Sequence, residues 1–343
     1  MKKIITYYLT LQLICAGFIY PTHCYARSGS LRLVARSAFL YDLQSGKVIY
    51  SKNINVKRAP ASLTKIVTAM VVLDHLDLQR KVRVSRKASH VQPTKVYLTR
   101  GEYYTAQDLL YAVLLNSGND AAVCLAEAVA GSEGEFATIM NKKVRSFGAY
   151  NTRFINASGL PGEGQYSTAY DLALVMKEAM RYPFIRKAMR EKIYTIHRPN
   201  GRKIRLRNHN KLLWRYSKRV VGKTGYTRAA GRCFLGMATH GKKQMIICVL
   251  NSKTMWSDVR RLLDYGLGRD NYQIIKINRK LHDNHKIKKI QSALKRARCD
   301  PGSIDGIFGI KTLEAVIQFQ RLYGLSVDGI IGQQTFSKLH QFM

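Results

Sequence analysis

Hydrophobic positions along the chain fall into blocks of different period, and the blocks change character twice. Two short apolar runs, Ala38 to Leu43 and Lys47 to Tyr50, flank Gln44-Ser45-Gly46, which predicts a β-hairpin closed by a Gly-containing turn. Helical spacing then takes over, through Leu63 to Leu76, Ala106 to Leu115, Ala121 to Ala130, Gly134 to Phe147 and Ala169 to Met180. In the first of these, Ile66, Val67, Ala69, Met70, Val71, Val72 and Leu73 leave hardly any polar face, the mark of a helix buried on all sides. Strand patterns return at Val220 to Thr227, Cys233 to Ala238 and Gln244 to Leu250, followed by a helix from Trp256 to Leu267. Strands at both ends with helices between them predict one α+β domain whose antiparallel sheet joins the two ends of the segment.

Beyond that helix, residues 269–286 mix Asn, Asp, His and Lys without a clear period and read as a linker. The remainder, 287–343, repeats itself. Ile304-Asp305-Gly306-Ile307-Phe308-Gly309 returns as Val327-Asp328-Gly329-Ile330-Ile331-Gly332, and Thr312, Gln318 and Phe319 return as Thr335, Gln341 and Phe342, all at an offset of 23. Each copy reads as an Asp-Gly turn followed by a helix that opens near its Thr.

Composition adds a compartment. Met1-Lys2-Lys3, the apolar run Ile4 to Tyr20 and the closing Cys24-Tyr25-Ala26 have the order of a secretory leader cleaved after Ala26. The leader is therefore residues 1–26 and the α+β domain 27–268. A retained membrane anchor is the alternative, since the run approaches the shortest spanning length. No later stretch is apolar and long enough to span. Of six cysteines, Cys124, Cys233, Cys248 and Cys299 remain after cleavage. Their spacing suggests no metal site, and Cys233 and Cys248 read as buried thiols on neighbouring strands, with a disulfide as the alternative. His282 and His285 lack further ligands around them, so no metal and no cofactor is expected. The formal charge of +36 favours polyanions, and export leaves acidic wall components and anionic lipid rather than nucleic acid. No Asp or Glu occurs from Lys192 to Ser257.

Candidate chemistry starts at Ser62-Leu63-Thr64-Lys65. Residues three apart share a helical face, so the Ser62 hydroxyl and the Lys65 amine can meet as nucleophile and base. Ser292 and Lys295 repeat that spacing, but only Ser62 opens a helix apolar enough to be a rigid mount. A protonated lysine cannot accept a proton. Burial, the positive end of the helix dipole and a second cation would each lower its pKa, and Lys223 of Lys223-Thr224-Gly225 is the candidate cation. Ser117-Gly118-Asn119, in a turn between two helices, offers a hydroxyl to relay protons and an amide to hold a substrate.

Ser62-x-x-Lys65, Ser117-x-Asn119 and Lys223-Thr224-Gly225, in that order, resemble the active-site serine penicillin-recognising enzymes, and most closely the low-molecular-mass D-Ala-D-Ala carboxypeptidases of peptidase family S11. The stretches Arg58 to Ala61, Asn116 to Ala122, Asn156 to Pro161 and Gly222 to Thr227 extend the likeness, which covers about Ser37 to Leu267. It implies a β-lactamase/transpeptidase-like fold and an acyl-enzyme on Ser62, with Lys65 as base. It also implies an oxyanion hole from the Ser62 and Tyr226 N–H groups, and a substrate carboxylate received by Lys223 and Thr224 beside Gly225. Ser51-Lys52-Asn53 fits the second motif but precedes the nucleophile. A class A β-lactamase needs a deacylating glutamate, and Glu163 stands in a Gly-rich loop instead. A D,D-endopeptidase or a non-catalytic wall-binding protein are the alternatives. The repeat resembles a three-helix peptidoglycan-binding domain through Asp305-Gly306-x-x-Gly309, Ala315-Val316, Phe319-Gln320, Gly324-Leu325 and Asp328-Gly329-x-x-Gly332. The partners implied are stem peptides and the sacculus, with β-lactams as inhibitors and peripheral contact with anionic membrane.

Overall fold

The computed structural model describes residues 31–343 apart from 216–219, 242 and 268. The expected leader, residues 1–26, lies outside the described residues. The first described elements are the predicted hairpin, β1 (Ser37–Asp42) and β2 (Lys47–Lys52), and a 3-10 turn over Ala61–Thr64 leads into α1 (Lys65–His75). Next come β3 (Lys81–Arg83), α2 (Arg86–His90), β4 (Tyr103–Thr105), α3 (Ala106–Leu115), α4 (Asn119–Ala130), α5 (Glu133–Ser146), α6 (Ala169–Ala179) and α7 (Pro183–Arg190). A second hairpin, β5 (Ile193–His197) and β6 (Lys203–Arg207), and the short α8 (Lys211–Arg215) precede β7 (Val220–Thr227), β8 (Gly231–His240), β9 (Lys243–Ser252) and α9 (Met255–Gly266).

The main sheet is antiparallel with order β2-β1-β9-β8-β7. Strand β1 therefore lies beside β9, with Phe39 opposite Cys248, and the sheet joins the two ends of the segment as the pattern implied. The runs Cys233 to Ala238 and Met245 to Leu250 are buried throughout, as befits central strands covered on both faces. Asp258 ties the entry of the chain to α9, because its carboxylate accepts the N–H groups of Val34 (3.1 Å) and Ala35 (2.7 Å) and the Ser252 hydroxyl (2.7 Å).

Helix starts follow their caps. Thr105, Ser132 and Thr168 each accept the N–H three residues on, from Asp108, Glu135 and Asp171. Gly131, in the left-handed conformation at φ +74°, ends α4. Helix α1 is buried at every position from Lys65 to Val72, as its apolar circumference required.

The segment expected to be an irregular linker is instead α10 (Arg269–Leu281), with α11 (Asn284–Arg296) starting two residues later. Ile275 of α10 is buried in the same core as Ile287, Leu313, Val316 and Phe319. The expected three helices follow as α11, α12 (Ile310–Leu322) and α13 (Gln333–His340), with Thr312 and Thr335 in the opening turns of the last two. Two glutamines build the Asp-Gly turns. Gln291 accepts the Gly306 N–H (2.9 Å) and donates to Ile307 O and Thr312 Oγ1 (both 3.2 Å), while Gln320 accepts the Gly329 N–H (2.8 Å) and donates to Ile330 O and Thr335 Oγ1 (both 3.1 Å). Asn278 of α10 completes the second turn by donating to Gly329 O (3.0 Å) and accepting from Ile331 N–H (2.8 Å). His240 of β8 lies 2.7 Å from the Glu314 carboxylate of α12.

Among the described residues, no helix is long and apolar enough to cross a membrane. Cys124, Cys233, Cys248 and Cys299 are all buried and unbridged.

Candidate active site

The nucleophile candidate sits where three backbone segments meet closely. Ala61 has a left-handed backbone, φ +48°, which disfavours a residue with a Cβ. Its carbonyl is packed against Gly159, where a Cβ would fall 1.9 Å from the Ala61 oxygen. Gly159 itself has φ +76°, so glycine is required there on both counts. The turn is shaped by Asn156, whose Oδ1 accepts the N–H groups of Ser158 (3.2 Å) and Gly159 (2.7 Å). Strand β7 closes the third side. A Cβ at Gly225 would lie 3.1 Å from both the Ser62 nitrogen and the Ala61 Cβ.

Lys65, one turn into the structure from Ser62, is fully buried. Its Nζ lies 3.1 Å from Ser62 Oγ, 2.6 Å from Asn119 Oδ1 and 2.5 Å from the Ser158 carbonyl oxygen. Burial holds its pKa well below the usual lysine range and Lys223 adds to the depression, against smaller opposing effects of Asp120 and Glu133. Two of the three neighbours are carbonyl oxygens, which only accept. A neutral amine thus directs both N–H bonds to Asn119 and Ser158, and its lone pair faces the Ser62 hydroxyl.

Ser117 and Asn119 come from the tight turn between α3 and α4. Ser117 is left-handed at φ +61°. Asn119 is fixed at three points: its N–H donates to Thr94 O (2.7 Å), its Nδ2 to Gln92 O (2.8 Å), and its Oδ1 faces Lys65. The next residue, Asp120, is fully buried, and its carboxylate accepts the N–H groups of Val96 (3.0 Å) and Leu98 (3.1 Å) and its neighbour Ala121 (3.0 Å). It straps residues 96–98 onto the turn. Lys223 of β7 is 2% exposed, and its Nζ donates to Ser117 Oγ (2.9 Å) and Thr224 O (3.1 Å). Burial pushes its pKa down to about 7.

The structure thus joins Ser62, Lys65 and Asn119 in one hydrogen-bonded group and Ser117 and Lys223 in a second, the two connected through the Ser117–Asn119 turn, with Thr224 and Gly225 on the same strand as Lys223. Tyr226 is the outermost, 64% exposed. The look-alike motifs stay apart from it: the Ser292 hydroxyl donates to Lys288 O within α11 (3.0 Å), and Lys52 donates to Leu33 O (2.9 Å). Glu163 is exposed in a turn. Sequence reasoning missed Asp120 and the Ser158 carbonyl. The former carried a signal, an acid in the first turn of an apolar helix. The latter is a backbone group and carried none. Among the described residues, no cluster of His, Cys, Asp or Glu is arranged to hold a metal.

Comparison with known proteins agrees with this geometry. Residues 25–254 match the model of the D-alanyl-D-alanine carboxypeptidase family, and residues 283–339 match that of a putative peptidoglycan binding domain. The chain is 36% identical to D-alanyl-D-alanine carboxypeptidase DacF of Bacillus subtilis over 71% of its own length and 64% of the relative's. With DacB2 of Mycobacterium tuberculosis it shares 35% identity over 68% of its length and 82% of the relative's. Among solved structures, a D-alanyl-D-alanine carboxypeptidase of M. tuberculosis superposes with TM-score 0.65 at 34% identity, covering 70% of this chain and 94% of that one. A mutant of the Streptomyces K15 DD-transpeptidase superposes with TM-score 0.66 at 30% identity, covering 69% and 99%. The chain spans 64% of the length of the first of these curated relatives, and residues 25–254 matched by the family model include Ser62, Lys65, Ser117, Asn119 and Lys223. On this evidence the chain belongs to the D-alanyl-D-alanine carboxypeptidase family, peptidase family S11.

Proposed function

We propose that the protein is an exported serine D-alanyl-D-alanine carboxypeptidase that removes the terminal D-alanine from peptidoglycan stem peptides. The observation that carries this reading is the Lys65 amine, buried and 3.1 Å from Ser62 Oγ, with the Asn119 and Ser158 carbonyl oxygens as its other two hydrogen-bond partners. Ser62 Oγ attacks the carbonyl between the two D-alanines while its proton passes to Lys65 Nζ. Negative charge develops on the carbonyl oxygen, and the N–H groups of Ser62 and Tyr226 stabilise it. The close approach of Gly225 to the Ser62 nitrogen supports their convergence. The peptide bond then breaks, and the leaving amine takes a proton from Lys65, directly or through the Ser117 hydroxyl, which Lys223 holds at 2.9 Å. Asn119 holds the stem peptide, and Lys223 and Thr224 receive its terminal carboxylate. Water repeats the attack on the ester and frees Ser62. A β-lactam enters the same sequence and stops at the ester.

The leader of residues 1–26, removed after Ala26, supports an extracytoplasmic site of action, and the repeat of residues 287–343 supports attachment to the sacculus. Mass spectrometry tests the activity. A D-Ala-D-Ala pentapeptide should lose one alanine, and Ser62→Ala should abolish both this and the covalent penicillin adduct, while Ser292→Ala changes neither. Cleaved cross-links without loss of alanine would make the protein an endopeptidase, and no change in either substrate would leave it a wall-binding protein.

A further inference from the structure

The second hairpin, β5 and β6, has two unlike faces. Tyr194, Ile196 and Leu206 point inward, where the Tyr194 ring stacks on Tyr111 of α3 at 3.7 Å between centroids and its hydroxyl donates to Asp108 (2.8 Å). The other face carries Ile193, Thr195 and His197 on β5 opposite Arg207, Arg205 and Lys203 on β6, all exposed. Alternate residues of a strand lie roughly 7 Å apart, so the three β6 cations form a straight row. Arg202 extends the row at the turn. Arg207 is pre-set, its guanidinium 4.6 Å over the Trp214 ring, and Lys192 reaches the same ring at 5.5 Å. Among the described residues, Arg202, Lys203, Arg205 and Arg207 meet no carboxylate, and none occurs in the sequence between Lys192 and Ser257. The hairpin is also joined to the site. Arg198, at the end of β5, donates to Tyr97 O (2.7 Å) and Thr99 Oγ1 (2.9 Å), in the segment that Asp120 straps beside Asn119.

We propose that this face is a docking surface for a linear phosphate-bearing polyanion of the cell envelope, held along β6 so that it runs past the catalytic cleft. Three arginines in the row suit bidentate contact with phosphate. A lipid surface fits less well. Membrane-surface elements insert aromatic and aliphatic side chains, whereas this face offers Ile193 alone, and the one tryptophan is capped by two cations. A nucleic acid carries the same phosphates, but the proposed export keeps it out of reach.

The test uses the full chain and long-chain inorganic polyphosphate as probe, with vesicles of equal parts phosphatidylglycerol and phosphatidylcholine alongside. Reversing Lys203 and Arg205 to Glu should weaken polyphosphate binding about tenfold or more at moderate salt and flatten its salt dependence. Reversing Lys288 and Lys289 in α11 changes the net charge equally and should weaken it less than about twofold. Both variants should acylate with penicillin at the parent rate, which shows that they fold. Equal loss in the two variants, or no loss in the first, would show that the protein's diffuse charge does the binding and overturn the proposal. Vesicle binding that depends on the hairpin while polyphosphate binding does not would overturn it in favour of lipid.

Discussion

Lys65 has two acceptors in Asn119 and Ser158 and one partner able to give a proton, Ser62, and that asymmetry decides its behaviour with pH. Burial and the nearby Lys223 both favour its neutral form, so penicillin acylation should fall as the pH drops through the depressed lysine pKa and Lys65 gains a proton. Lys223→Gln removes one of the two depressing influences. Its residual acylation, whatever its height, should fall off at a higher pH than the parent's. A stopped-flow pH profile whose acid limb stays in place would separate the two lysines. Lys65→Arg should be inactive at every pH, because a guanidinium keeps its proton. Most of this was readable from residue types. A serine, a lysine three residues on and a second lysine on a strand are chemistry-bearing side chains at characteristic spacings. The fixers of Asn119 and Lys65 are carbonyl oxygens of Gln92, Thr94 and Ser158, groups that every residue possesses, so the sequence carries no trace of them.

The elements that hold these groups depend on buried polar struts more than on propensity. Asp120 accepts three backbone N–H groups in the interior and thereby fixes both the Ser117–Asn119 turn and residues 96–98. Asp120→Asn turns an amide N–H toward those donors, and leaving charged-acceptor bonds unmade there should cost about 3 kcal/mol of stability together with most of the acylation rate. Calorimetry and a penicillin assay read the two losses, and unchanged acylation in a destabilised protein would confine Asp120 to the fold. Strong periods were legible at this scale: α3 and β7 occupy the predicted residues 106–115 and 220–227. Weak ones were not. Lys203-Ile204-Arg205-Leu206-Arg207 does alternate, but its polar members are all cations and the run reads first as a charge cluster. Helix α10 has few apolar residues, and Ile275 becomes meaningful only once α11 and α12 supply a core for it.

At the scale of the whole molecule, α10 changes where the chain can be divided. Asn278 and Ile275 belong to the C-terminal core, so a cut near Asp283 would strand them, whereas a chain ending at Leu267 leaves the sheet and α9 intact. That shorter chain should acylate within a few fold of the parent and should pellet less with purified sacculi at high salt, where adhesion through diffuse charge is screened. Equal pelleting at high salt would show that the repeat does not anchor the protein. The four cysteines give the same division a kinetic meaning. Cys124, Cys233 and Cys248 are buried in the catalytic body and Cys299 in the C-terminal core, and burial raises every one of their pKa values, that of Cys124 to about 12 and that of Cys233 to about 11. Thiols so protonated and enclosed resist oxidation and alkylation alike, so these four cysteines should stay unreactive until the chain opens around them. Alkylation under mild denaturant, followed by peptide mapping, should therefore time two separate openings. Cys299 should be modified at one rate and the other three together at another, and a single shared rate would mean that the two cores come apart as one.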